Sequence, residues 1–183
     1  MKSVTSMGDN AKVEKLEKDM RLMRVQIEDE SAAVNNLVDT LVNKYGRDLE
    51  RAVDKVRDSL KRNDDQPVSN EELEKFVMEV PVYMYYAIEG LEKLGIEGDN
   101  AISLRKDKYN RSYIATPGTI EDKTKQSELD TMTESYVENA YKRAYKKLKE
   151  KIAKAENVYT GAKKVLDKRT HELFIHKGDR HNA

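Results

Sequence analysis

Arg105, Lys106, Lys108 and Arg111 crowd around Tyr109 and Tyr113 within nine residues, in a chain whose 34 basic and 34 acidic side chains leave no net charge. Cations beside aromatic rings suit one chemistry above others. Ammonium and guanidinium groups follow the phosphates of a single strand, while ring faces stack on unpaired bases at about 1–3 kcal/mol each. The phosphate part releases counterions and weakens steeply as salt rises. On a helix, Arg105, Lys108 and Arg111 lie three apart on one side, and Tyr109 and Tyr113 lie four apart on an adjoining one. Lys142, Arg143, Lys146 and Lys147 lie beyond a turn, and an antiparallel hairpin is expected to bring them near this stretch. The same residues allow a plainer reading, in which the cations pair with neighbouring carboxylates and the tyrosines pack into a bundle.

Other chemistry finds little support. The chain has no cysteine and three histidines, His171, His176 and His181, all close to its end. No carboxylate pattern converges with them into a metal site. Neither G-x-G-x-x-G nor a P-loop occurs, and Gly95-Ile96-Glu97-Gly98 is acidic where a phosphate cradle would need donors. The expectation is a non-enzymatic protein with no cofactor and no metal.

The elements that must position these residues are helical. Hydrophobic residues make up 38% of the 183 and charged residues 37%, with Tyr occurring ten times, Phe twice and Trp not at all. So little apolar material favours long helices with narrow buried stripes over a thick core. From Val13 the apolar residues step by three and four through Leu16, Met20, Met23, Ile27, Val34, Leu37 and Leu41, the spacing of a coiled-coil-like seam. Tyr45-Gly46 is expected to break or kink that helix. Leu49, Val53, Val56 and Leu60 follow at helical spacing, and the polar run to Pro67 reads as a linker. Ser69 and Glu72 form a capping box, opening a helix with Leu73, Phe76, Val77 and Val80 inward and Tyr83–Tyr86, Ile88, Leu91 and Leu94 continuing the apolar face. Pro81 starts a fresh helix or kinks this one. Thr116-Pro117-Gly118 is the strongest turn signal. Beyond it a long helix is expected over about 127–173, with Val137, Tyr141, Ala144, Leu148, Ile152, Ala155, Tyr159, Ala162 and Leu166 in one stripe.

The expected architecture is all-α, with an N-terminal coiled-coil-like arm (1–62), a linker (63–68), a helical hairpin closed by the 113–127 loop (69–175) and a mobile tail (176–183). No apolar run approaches the ~20 residues of a membrane span, and the first residues lack the apolar core of a signal peptide, which points to a cytoplasmic protein. Charge is segregated along the chain. Residues 71–99 hold eight acids against two bases, net −6, whereas 141–169 hold eleven bases against three acids, net +8. Such asymmetry marks a polyanion site or complementary packing between helices.

Residues 72–173 resemble phage recombination mediators of the UvsY type. The resemblance rests on the aromatic stretch Val80–Tyr86, on the basic helix end Leu104–Tyr113 running into a Gly/Pro loop, and on a return helix carrying Leu148, Ile152, Tyr159, Leu166, Lys168 and Arg169. Residues 1–68 have no counterpart in that family's short form, and Gly90, Gly95 and Gly98 interrupt a helix expected to be smooth. The resemblance implies single-stranded DNA binding by a homo-oligomer that helps load a RecA-like recombinase onto strands covered by single-strand binding protein. It places Arg105, Lys106, Lys108 and Arg111 on the DNA, with Tyr109 and Tyr113 beside them. Two other classes fit the same residues: a structural or scaffolding coiled-coil protein of a virion, and a small adaptor or inhibitor that binds a host protein through the acidic helix.

Overall fold

The computed structural model describes the backbone of residues 6–60 and 68–179, and side chains over 31–59 and 68–172 together with Met20, Glu28 and Asp29. It forms four helices, with no strand among the described residues: α1 (Ser6–Leu60), α2 (Asn70–Ala115), α3 (Ile120–Asp130) and α4 (Met132–Asp179). The chain divides into two compact units, Met1–Leu37 and Val38–Ala183. In the first unit Met20 is exposed, and the rest of the seam expected from Val13 to Ile27 lies outside the described side chains. The linker expected at 63–68 lies, apart from Val68, outside the described residues as well. In place of an aperiodic tail from 176, α4 stays helical to Asp179.

In the second unit, α1, α2 and α4 each bury one narrow stripe. α1 contributes Val38, Leu41, Val42, Leu49 and Val56, and α2 contributes Leu73, Phe76, Val80, Ala87, Leu94 and Ala101. α4 contributes Ala140, Ala144, Leu148, Ala155 and Ala162. Four of those five α4 residues are alanines, which carry full helix propensity and let the neighbouring backbones come close. Of the stripe expected on α4, Ala144, Leu148, Ala155 and Ala162 are buried, whereas Val137, Tyr141, Ile152, Tyr159 and Leu166 are half-buried. The helix itself begins at Met132 rather than at about 127, because residues 120–130 form a separate helix.

α3 forms where a polar loop was expected. Thr119 caps it, its hydroxyl accepting from the Asp122 amide at 3.3 Å while Asp122 accepts from the Thr119 amide at 3.1 Å. A Lys125–Glu121 pair at 2.6 Å follows one turn on. The helix ends at Thr131, whose backbone leaves helical geometry and whose hydroxyl donates to the Ser127 carbonyl at 2.8 Å. The true turn is only Thr116–Thr119, with Gly118 at φ +118°. That conformation is costly for any residue with a Cβ.

At the start of α2 the capping box is present, with the Glu72 amide donating to the Ser69 hydroxyl at 3.1 Å and the Ser69 amide to Glu72 at 3.2 Å. The helix then runs unbroken through Pro81. α1 likewise passes through Tyr45-Gly46 without a break. Packing explains why. A Cβ placed on Gly90 of α2 would lie 2.4 Å from the Tyr45 Cβ and 2.5 Å from its Cγ, so the tyrosine stem rests on bare backbone. A Cβ on Gly46 would meet Leu148 Cδ1 of α4 at 2.8 Å. The pair expected to end α1 is therefore where it meets both neighbours, and tertiary contact outweighs a propensity cost of about 1 kcal/mol.

Glycines elsewhere in the helices have other surroundings. Gly161 has nothing within 4 Å of an added Cβ. Gly90→Ala should lower the melting temperature by about 2–8 °C, since overpacking of about 1–3 kcal/mol exceeds the gain in propensity. Gly161→Ala should raise it by about 2–4 °C. Thermal unfolding followed by circular dichroism reads both, and a Gly90→Ala protein as stable as the parent would contradict the packing described.

Candidate nucleic-acid interface

The basic-aromatic stretch occupies the last turns of α2, where α2, α3 and the start of α4 meet. Three of its four cations are engaged. Arg105 Nε donates to Glu138 Oε2 at 2.6 Å, and Lys142 Nζ donates to Glu138 Oε1 at 2.5 Å, so one carboxylate of α4 holds a cation from each helix. Lys108 Nζ donates to Glu134 Oε1 at 2.7 Å. Arg111 pairs with Asp107 on its own helix at 2.6 Å, and Lys147 pairs with Asp39 of α1 at 2.6 Å. Lys106, Arg143 and Lys146 are exposed and form no ion pair with the described residues.

Tyr109 and Tyr113 are half-buried and stack on each other, with centroids 6.3 Å apart and planes 18° apart. The Lys123 ammonium of α3 lies 5.8 Å from the Tyr113 ring centre. Beside them the Ser112 hydroxyl donates to Asp130 at 2.5 Å, fastening α3 to α2. That bond and a second from Gln126 hold the Asp130 carboxyl below its ordinary range.

Burial decides which pairs are fixed. Glu138 is 9% exposed while Arg105 is 35% exposed. Bonds from Lys142 and then Arg105 hold the Glu138 pKa down against the opposing effect of burial. The Lys108 bond does the same for Glu134. Withdrawing Arg105 would leave a buried carboxylate with one partner, and such losses are large. Arg111, by contrast, is 79% exposed and its partner Asp107 is also exposed. Surface pairs of that kind contribute about 0–1 kcal/mol, so Arg111 can exchange partners freely.

The register of the hairpin separates residues expected to lie together. Arg105 sits opposite Glu138 and Lys108 opposite Glu134, while an added Cβ would place Gly98 against Tyr141 and Gly95 against Tyr145 at 3.6 Å each. Lys142 reaches the stretch through its shared Glu138. Arg143 and Lys146 stand level with the acidic half of α2, and Lys147 turns toward α1. The ten residues expected to form one surface are therefore divided. Arg105 and Lys108 are struts across the hairpin, and Lys142 bonds within α4 to the carboxylate that Arg105 uses. Arg143 and Lys146 form an outward row on α4 with, beyond the expected set, the exposed Lys149.

No group of histidine and acidic side chains suited to a metal ion occurs among the described residues. His171 is exposed near the end of α4, whereas the side chains of His176 and His181 are outside the described residues. Nor, among the described residues, is any helix long and apolar enough to cross a membrane. No known protein family, curated protein or solved structure matches the chain.

The struts make stability sensitive to acid. Glu138 and Glu134 have folded pKa values below the ordinary 4.5. Their contribution is complete above that value and is lost as pH falls through the folded value. The melting temperature should therefore be flat from pH 7 to about 5 and drop below about 4.5. Glu138→Gln should cost about 1–3 kcal/mol at pH 7 and flatten the acid limb. Melting curves across this range check both, and an acid limb identical in the variant would show that Glu138 is not its source.

Proposed function

We propose that this chain is a non-enzymatic accessory protein that binds single-stranded nucleic acid as an oligomer, in the manner of the recombination mediators its basic hairpin resembles. The observation that carries the reading is the outward row on α4, where Arg143, Lys146 and Lys149 stand exposed about one turn apart with no ion-pair partner among the described residues. Groups with no internal partner lose nothing within the fold when they bind phosphate, whereas the Arg105–Glu138 pair would have to be broken. Lys106 and the exchangeable Arg111 extend the same capacity to the end of α2. Tyr109 and Tyr113, half-buried and near-parallel to each other, stand beside these cations. The strand would be held mainly through its backbone, with little sequence preference. Presented to a RecA-like recombinase or taken over from a single-strand binding protein, a strand held this way stays exchangeable because each contact is screened by salt.

A second reading, an assembly or adaptor protein, is favoured by a different observation. The outer side of α2 exposes Met78, Val82, Tyr85, Tyr86 and Ile96.

Fluorescence anisotropy with a labelled single-stranded oligonucleotide tests the proposal. Binding at 50 mM salt should weaken about 50-fold at 200 mM if four phosphates are engaged. Arg143→Glu/Lys146→Glu/Lys149→Glu should weaken it at least tenfold at 50 mM with an unchanged circular dichroism spectrum. A flat titration at both salt concentrations, or full binding by the triple variant, would remove the polyanion reading.

A further inference from the structure

α2 carries two stripes. The buried one runs through Leu73, Phe76, Val80, Ala87, Leu94 and Ala101. On the opposite side Met78, Val82, Tyr85, Glu89, Glu92 and Ile96 follow one another in steps of four, three, four, three and four. That is the heptad spacing by which one helix lies along another. The four apolar members are 76%, 51%, 60% and 63% exposed. They span about 27 Å of helix at 1.5 Å per residue. Tyr86 flanks the seam, its ring edge-to-face with Tyr85 at 5.9 Å. The centre of the seam is acidic: Glu89 lies beside Tyr85, where its carboxylate raises the pKa of the phenol, and Glu92 is exposed one turn on.

We infer that this seam is a docking surface for an amphipathic helix of a partner protein, apolar at the ends of its contact stripe and carrying lysine or arginine at the middle. Charge complementarity sets the chemistry, since two consecutive glutamates at seam positions need cations opposite them once water is excluded. A second copy meets that requirement poorly. A parallel copy in register would place Glu89 on Glu89 and Glu92 on Glu92, and an antiparallel copy would place Glu92 against Val82. The outward cations of α4 match in charge but not in shape. The exposed large apolar residues described on that helix are Met132, Tyr145 and Val165, which make no stripe with Lys146 and Lys149.

The test uses the full chain and a labelled helical peptide with leucine at its a and d positions except for lysine at the two central ones. Anisotropy at 50 mM salt should show it binding at least tenfold more tightly than the same peptide with glutamate at those positions, and than a scrambled peptide of equal composition. Glu89→Lys/Glu92→Lys should invert the preference while circular dichroism stays unchanged. Equal binding of the scrambled peptide, absence of binding, or no inversion would overturn the inference. So would Val82→Asp/Tyr85→Asp converting an oligomer to a monomer in sedimentation, which would show that a second copy covers the seam. Retained oligonucleotide binding by Glu89→Lys/Glu92→Lys separates this surface from the row on α4.

Discussion

The contact of the Tyr45 stem with the bare backbone of Gly90 is the constraint on which the bundle depends. It brings α1 and α2 together at a separation no residue with a Cβ would allow, and Leu148 of α4 closes on Gly46 one residue away. With three helices meeting at one level, the register of the rest follows. Alanines at 140, 144, 155 and 162 extend the close approach along α4. Arg105 then falls opposite Glu138 and Lys108 opposite Glu134.

That register sorts the charges by role. A cation facing a nearly buried carboxylate becomes part of the framework, because leaving would strand the acid. A cation on an outward face faces only water and remains available. The hairpin therefore separates the cations that join its helices, Arg105 and Lys108, from the outward row of Arg143, Lys146 and Lys149 on which the proposed phosphate contact rests. The outer side of α2 is separate again, acidic and apolar where α4 is basic. The opposite net charges of 71–99 and 141–169 are not joined to each other in the ion pairs between helices among the described residues, which are Arg105–Glu138, Lys108–Glu134, Lys147–Asp39 and Lys151–Glu50.

Much of this was legible in the residues themselves. The steps of three and four from Val137 to Leu166 marked the side of α4 on which Ala144, Leu148, Ala155 and Ala162 are buried, and Ser69 with Glu72 marked the start of α2. The Thr119–Asp122 box was equally local, yet the polar run around it read as a loop because α3 buries little apolar surface; Ser127 is its fully buried residue. Tyr45-Gly46 read as a break because propensity is a local quantity, and the contacts that overrule it come from Gly90 and Leu148. The pairing of Arg105 and Lys108 was hidden for the same reason, their acids lying 33 and 26 residues away. Tyr85, Tyr86 and Ile88 were placed on the apolar face of α2, but they are exposed. The missed signal was a second heptad phase through Met78, Val82, Tyr85 and Ile96. It was obscured because two of its seam positions are glutamate.

The meeting of α1 and α2 can be observed directly by nuclear Overhauser spectroscopy of the folded, isotope-labelled protein. Strong cross-peaks between the Tyr45 β and ring protons and the Gly90 α protons are the predicted result. A well-folded spectrum in which Tyr45 shows no contact with Gly90 would contradict the packing from which the register, the struts and the outward faces all follow.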